Sequence, residues 1–188
     1  GGREVHPINV RVGGFYRAPR KDELEALVKP LTEARETAKI LVGWVAGFDF
    51  PDLEIDYEYV ALHHPDEYPM NRGRIVSNKG LDIAVEEFYE HFQEEHIEHS
   101  NALHCRRLPG GTTYQVGPLA RFNLAFDKLT PLARETALEH GFEPPCTNPF
   151  KSIIARAVEV LHACDEALSL IEQYEEPAAP YLTAPNRK

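Results

Sequence analysis

The stretch from Asn101 to Asn123 constrains the fold most, because it compresses a turn, an extended segment and a helix start into a few consecutive residues. Pro109-Gly110-Gly111 is turn chemistry: glycine takes positive φ at no steric cost, and proline presets the bend. Thr112, Thr113, Tyr114 and Val116 favour an extended chain. Gly117 stops it, and Pro118 suits the first position of a helix, where a missing N–H costs nothing. Arg121 then falls between Leu119-Ala120 and Phe122, so its guanidinium calls for a buried carboxylate or a set of carbonyls. Structural anchoring is the favoured role.

The remaining chain alternates helical periods with breakers. Ile8-Asn9-Val10-Arg11-Val12 reads as a brief strand or extended arm, and Gly13-Gly14 allows a sharp turn. From Arg20 the apolar residues recur at three and four: Leu24, Leu27, Val28, Leu31, Ala34, Ala38, Leu41, Val42 and Val45. That is one buried helical face, with a kink or a restart predicted at Pro30 and an end at Gly47 and Pro51. Tyr57 to Leu62 and Arg74 to Ser77 are two short strands able to pair into a small antiparallel sheet. Ile83 to Ser100 reads as a helix, with Val85, Phe88, Phe92 and Ile97 near one face. Helices are also predicted from Pro118 to Leu129, from Thr130-Pro131 to Gly141, and from the Asn148-Pro149 cap pair to about Tyr174. Pro177, Pro180 and Pro185 forbid regular structure beyond that point. The expected class is α+β, helix-dominated, with a small antiparallel β element. Residues 1–175 are expected to form one scaffold segment and 176–188 a Pro-rich tail or linker.

Composition excludes several functions. The apolar fraction is 43% and the charged fraction 27%, as in water-facing globular domains. A net charge of −10 argues against partners that present phosphate, whether nucleic acid or an anionic membrane surface. The longest apolar run, Ile40 to Phe48, is too short to span a bilayer, and no secretion signal is present. Cys105, Cys146 and Cys164 are odd in number and widely spaced, which fits neither a disulfide framework nor a paired zinc site. Reduced thiols in a cytoplasmic setting are expected. The Gly1-Gly2 start and Pro-rich end give the look of a piece cut from a longer polypeptide.

Three constellations invite a chemical reading. His91, Glu95 and His99 stand four apart, so on a helix they share one face, and a carboxylate between two imidazoles can hold a metal. The simpler reading is a solvated acidic face with histidines among glutamates. His63-His64 before Pro65-Asp66 reads as the polar end of a strand. Cys105 has His104, Arg106 and Arg107 as sequence neighbours, which would activate a thiol if their side chains met it; no oriented base is evident. Cys164 fits a helix core, and Cys146 follows Pro144-Pro145 in a loop. No residue is assigned a catalytic, cofactor-binding or metal-ligating role.

Longer strings resemble a known family. His6-Pro7 with Val12-Gly13-Gly14-Phe15, Glu95 with Ser100-Asn101-Ala102, and above all Tyr114-Gln115-Val116-Gly117-Pro118-Leu119-Ala120-Arg121-Phe122-Asn123 resemble the middle of the large subunit of nickel–iron hydrogenases. Asn148-Pro149-Phe150, Ile154-Ala155-Arg156-Ala157-Val158-Glu159 and Asp165-Glu166-Ala167 continue in the same register, so the likeness runs from Gly1 to about Tyr174. It is closest in flavour to the cytoplasmic branch that couples dihydrogen to a nicotinamide, a deazaflavin or sulfur.

The resemblance implies a helix-rich scaffold, a nickel–iron centre in the full-length parent, and a partner in the form of an iron–sulfur small subunit. The family holds its metals with two Cys-x-x-Cys pairs near the chain ends; this sequence has neither, so no ligand is carried over and the segment alone is expected to be inactive. By resemblance His6 lies toward the partner subunit, against the simpler reading of a histidine bonded to backbone at a turn. The isolated segment is expected to form a homo-dimer or to aggregate, because faces buried against missing regions would be exposed. Two other readings stand beside this one: a relative of the quinone-site subunit of respiratory NADH dehydrogenase, which shares the His-Pro and Gly-Gly element, and a non-catalytic scaffold or interaction module.

Overall fold

Val10–Arg11 (β1) and Gly14–Phe15 (β2) pair as an antiparallel hairpin, as the alternation and the two glycines predict. The computed structural model describes residues 8–183, so His6-Pro7 lies outside the described residues. The chain divides into two units, Gly1–Ala34 with Cys164–Lys188, and Arg35–Ala163.

In the first unit the hairpin gains a third edge. Phe15 N–H donates to Pro180 O at 2.9 Å, and Leu182 N–H to Gly13 O at 2.9 Å. Gly13 has φ +89°, and a side chain there would run into the Leu182 carbonyl, so only glycine serves. The Arg11 guanidinium sits 3.6 Å from the Tyr181 ring centroid, a cation–π contact. Tyr174 O–H donates to Pro19 O at 2.7 Å, and the Glu176 carboxylate accepts from Lys21 N–H at 2.6 Å. That last bond satisfies one of the orphan donors at the start of Lys21–Glu25 (α1). The alternative predicted at Pro30 resolves as a restart: α1 ends at Glu25, and Val28–Ala46 (α2) begins with Pro30 in its first turn, where no donor is needed.

The second unit contains the packed core. Val60–His63 (β3), Arg74–Ser77 (β4) and Asp82–Ile83 (β5) form an antiparallel sheet in the order β3-β4-β5, with Val60 opposite Ser77 and Ile75 opposite Ile83. The first two strands are those the sequence predicts, although β3 starts later than Tyr57. Tyr59 instead bridges Gln115 in parallel, and Thr112 bridges Arg107, so the extended segment predicted over Thr112–Val116 forms isolated bridges and no full strand. Val60, Ile75, Leu81 and Ile83 bury against Phe92 as a small core.

The helix predicted over Ile83–Ser100 is not formed. After a single 3-10 turn, Phe88–His91 (α3) is one helical turn, and the chain then extends as Phe92–His96 (β6), paired with Leu103–Arg107 (β7). Phe88 and Phe92 do stack, at 4.7 Å and 11°, but across a helix–strand junction. An apolar spacing of four therefore arose without a helix, and the long-range ladder with β7 decided the backbone.

Pro118–Ala125 (α4), Pro131–Glu139 (α5) and Ser152–Glu172 (α6) match the predicted helices closely. Asn148 caps the turn before α6, its Oδ1 accepting from Phe150 N–H at 3.0 Å. Ala38, Val42 and Val45 of α2 share one core with Leu119, Phe122 and Ala125 of α4, Ala133 and Ala137 of α5, and Ile154, Val158 and Leu161 of α6. Phe122 is fully buried and stacks on Phe142 at 4.3 Å. The fold is α+β, with more residues in helices than in its small antiparallel sheets. No helix among the described residues is long and apolar enough to cross a membrane.

Candidate functional site

Gly117 and Pro118 set the geometry of the site. Gly117 holds φ +91°, and Pro118 occupies the first helical position of α4, so the chain turns sharply and its first helical bond, Arg121 N–H to Gly117 O, closes at 3.0 Å. Leu119, Ala120 and Phe122 then face the core with no exposure at all. Arg121 leaves the same turn and meets Glu159 of α6. Its Nε donates to Oε1 at 2.7 Å and its Nη2 to Oε2 at 2.8 Å, a two-pronged pair. Tyr68 O–H donates to the same Oε1 at 2.9 Å.

Glu159 is buried, and a carboxylate placed among apolar helices is costly unless donors surround it. Three donors do so here. The hydrogen bond to Glu159 pushes the Arg121 guanidinium above its ordinary range. Burial, and then the charge of Glu159, push the Tyr68 hydroxyl well above the ordinary phenol range. Arg121 is thus held charged and Tyr68 held protonated. The cluster locks α4 to α6 and offers no free base to a substrate.

One turn further along α6, buried His162 packs edge-on against Tyr68 with ring centroids 4.9 Å apart. Its Nδ1 accepts from Thr130 N–H at 3.2 Å, at the start of α5, so that nitrogen carries no proton while it accepts. Asn123 makes a second clamp. Its Nδ2 donates to Cys146 O at 2.9 Å and its Oδ1 accepts from Cys146 N–H at 2.8 Å, while Tyr59 O–H donates to the same carbonyl at 3.0 Å. Burial pushes the Tyr59 hydroxyl up to about 12 and raises the Cys146 thiol. Asn148 Nδ2 reaches Pro51 O at 2.7 Å. The strings with the most specific resemblance therefore turn out to be the pins of the helical core.

A cleft of about 240 Å³ opens beside these pins, lined by Gly117, Arg121, Tyr114, Phe92, Met70 and Val116 among others. Arg121 is its one charged wall residue.

The other predicted constellations come apart. His91 ends α3, with its carbonyl accepting from Leu108 N–H at 2.7 Å. Glu95 lies in β6 and pairs with Arg106 at 2.9 Å, and the ring of His99, in the turn after β6, approaches His104 at 6.2 Å. The shared helical face required for His91, Glu95 and His99 does not exist, because the strand period of two replaces 3.6 from Phe92 onward. His63 ends β3 opposite Arg74, and His64 Nδ1 accepts from Asp66 N–H at 3.2 Å. Cys105 lies in β7, so His104 and Arg106 point to the opposite face, with Arg106 committed to Glu95. Its thiol meets the Tyr114 hydroxyl, which burial and that bond push upward. Arg121 does find the carboxylate its apolar neighbours called for. Sequence reading missed Tyr68, His162 and the double role of Asn123, whose partners lie far away along the chain.

No family model matches the chain. Curated relatives do. The alpha subunit of sulfhydrogenase 1 from Pyrococcus furiosus is 26% identical over 175 residues, covering 92% of this chain and 40% of the relative. The vhu subunit of the F420-non-reducing hydrogenase from Methanococcus voltae is 26% identical over 192 residues, covering 93% of this chain and 46% of the relative. The iron-sulfur subunit of the F420-non-reducing hydrogenase from Archaeoglobus profundus is 27% identical over 218 residues, covering 99% and 43%. The chain is thus related along nearly its whole length to hydrogenase subunits, and it spans less than half the length of these relatives.

Proposed function

We propose that this chain is the central scaffold segment of a nickel–iron hydrogenase large subunit of the cytoplasmic branch, in a parent enzyme that oxidises dihydrogen reversibly. The observation that carries the reading is the coincidence of sequence and structure at Gly117–Asn123. The string that most resembles hydrogenases is also the one whose side chains, Arg121 and Asn123, tie α4 to Glu159 and to Cys146. The relatives being hydrogenase subunits supports this reading over the respiratory one.

In the full-length parent a nickel–iron centre would supply the Lewis-acid and redox chemistry for splitting dihydrogen, and an iron–sulfur small subunit would carry the electrons. The thiols present here do not fit as its ligands. The Cys105 thiol is hydrogen-bonded to the Tyr114 hydroxyl, Cys146 is closed into the core with its thiol pushed up by burial, and Cys164 sits half-buried on α6. Among the described residues no three His, Cys, Asp or Glu side chains converge where a metal ion would sit. The segment's contribution is mechanical: a helical frame pinned by Arg121 on Glu159 and by Asn123 on Cys146.

Two measurements test this. The coding sequence on either side should supply two Cys-x-x-Cys pairs, and the complex purified through this polypeptide from its native cells should take up hydrogen with a viologen acceptor. The 188-residue chain alone, supplied with nickel and iron, should show none. Flanking sequence without thiolate pairs would sink the hydrogenase reading, and turnover by the isolated chain would sink the scaffold role.

A further inference from the structure

The cleft of about 240 Å³ beside Gly117 has an aliphatic side and an aromatic one. Val60 and Leu62 of β3 supply the first, and Phe88, Phe92 and Tyr114 supply the second. Phe92 stacks on Phe88 at 4.7 Å and meets Tyr114 edge-on at 5.0 Å, so the three rings hold one another in place. Met70 also lines the cleft and is 51% exposed, which puts it at the mouth.

Two polar side chains reach these walls, and only one has a donor to spare. The Tyr114 hydroxyl is bonded to the Cys105 thiol. Arg121 gives Nε and Nη2 to Glu159, but its Nη1 makes no hydrogen bond among the described residues and is not sealed from solvent. The positive charge of that guanidinium is already matched by a carboxylate at 2.7 Å. The cleft therefore presents a strong hydrogen-bond donor without presenting a free counter-ion. A carboxylate entering it would give up its water for a cation that is already paired, and an ammonium would meet apolar walls. A neutral acceptor loses far less on entry.

We propose that the cleft binds a small neutral carbonyl compound, a single flat ring bearing a ketone or amide oxygen. The ring lies against Phe92 and Tyr114, and the oxygen accepts from Arg121 Nη1. The volume sets the size: pockets for drug-sized ligands begin at about 300 Å³, so this one takes one ring with a short substituent and no large cofactor. The charge balance sets the class, since Arg121 and Glu159 together are neutral. Nothing in this depends on the hydrogenase reading, because the walls and the donor all belong to this chain.

Heteronuclear NMR of the 188-residue chain tests this with acetophenone, α-methylstyrene, benzoate and benzylamine, which are nearly equal in size. α-Methylstyrene carries a methylene where acetophenone carries its oxygen, so that pair isolates the hydrogen bond. Acetophenone should shift the amide signals of Tyr114 and Gly117 and the Arg121 Nε–H signal, and should saturate with a Kd on the order of a millimolar, as befits so small a ligand. α-Methylstyrene should move the same amides with about tenfold weaker binding. Benzoate and benzylamine should leave them in place at concentrations that saturate with acetophenone. Met70→Trp should narrow the mouth and weaken both neutral probes. The double change Arg121→Met with Glu159→Leu removes the donor and its counter-charge together, and should bring the two neutral probes to equal affinity. Equal affinity for them in the unaltered chain, tighter binding of benzoate, or shifts that fall outside the cleft would each overturn the proposal. A preference for acetophenone that survives the double change would equally overturn it.

Discussion

Two arginine–glutamate pairs in the second unit have the same chemistry and different weight. Arg121–Glu159 and Arg106–Glu95 close at 2.7 and 2.9 Å through the same Nε atom. In the first, the side chains are 25% and 10% exposed, a second prong reaches Oε2, and Tyr68 adds a third donor. In the second they are 32% and 38% exposed, and the carboxylate receives a single prong. Distance alone does not rank them. A carboxylate taken out of water depends on every donor around it, whereas one that keeps its water loses little when its partner leaves.

The sharpest way to break this comparison is Arg121→Met. It strands Glu159 among apolar helices and should lower the unfolding free energy in urea by about 3 kcal/mol, the scale for removing one member of a buried pair. A loss no larger than that of Arg106→Met would erase the distinction. The double change Arg121→Met with Glu159→Leu should recover most of the lost stability, since replacing both members of such a pair by apolar groups is often neutral. If the double variant is as unstable as the single one, the pair is holding shape and not only balancing charge.

Asn123→Ala comes next. It leaves Cys146 N–H without its partner beside a buried chain and should cost about 2 kcal/mol by the penalty for an orphaned buried donor. Tyr59→Phe should cost about 1 kcal/mol, the net value of one neutral hydrogen bond, and it carries a pH signature. The Tyr59 hydroxyl is raised from 10.0 to about 12 in the folded chain, so above the unfolded value the folded state holds a proton that the unfolded state has released. Its contribution is therefore fully present below that unfolded value and is lost as pH climbs through the window up to about 12. Tyr59→Phe should flatten the alkaline fall in stability over that window; an unchanged slope would rule Tyr59 out as its source. Smallest of all, Arg106→Gln should change stability by roughly 0.5 kcal/mol and only at low salt, as exposed pairs do.

The same contrast explains what could be read in advance. Gly117-Pro118 announced its helix, Pro30 announced a break, and Asn148 announced a cap, because each acts on φ or on a backbone N–H within a few residues. Arg121 announced that it needed a carboxylate or a set of carbonyls without saying which. The error over residues 92–96 has the opposite origin. Phe88 and Phe92 satisfy a helical spacing and a hairpin equally well, and pairing with Leu103–Arg107 decided between them. The face of His91, Glu95 and His99 vanished with the helix that would have carried it.

The sequence by itself determined where most of the helices begin and break, the α+β class, and the kinship with hydrogenase subunits, since these rest on local backbone chemistry and on strings of residues. Tertiary structure alone decided that Glu159 answers Arg121 across 38 residues and that Asn123 holds Cys146 across 23. It also decided that Arg121 keeps its Nη1 open beside an apolar cleft. The physical reason is that these outcomes depend on which helices meet, and helices meet wherever distant apolar faces bury best together.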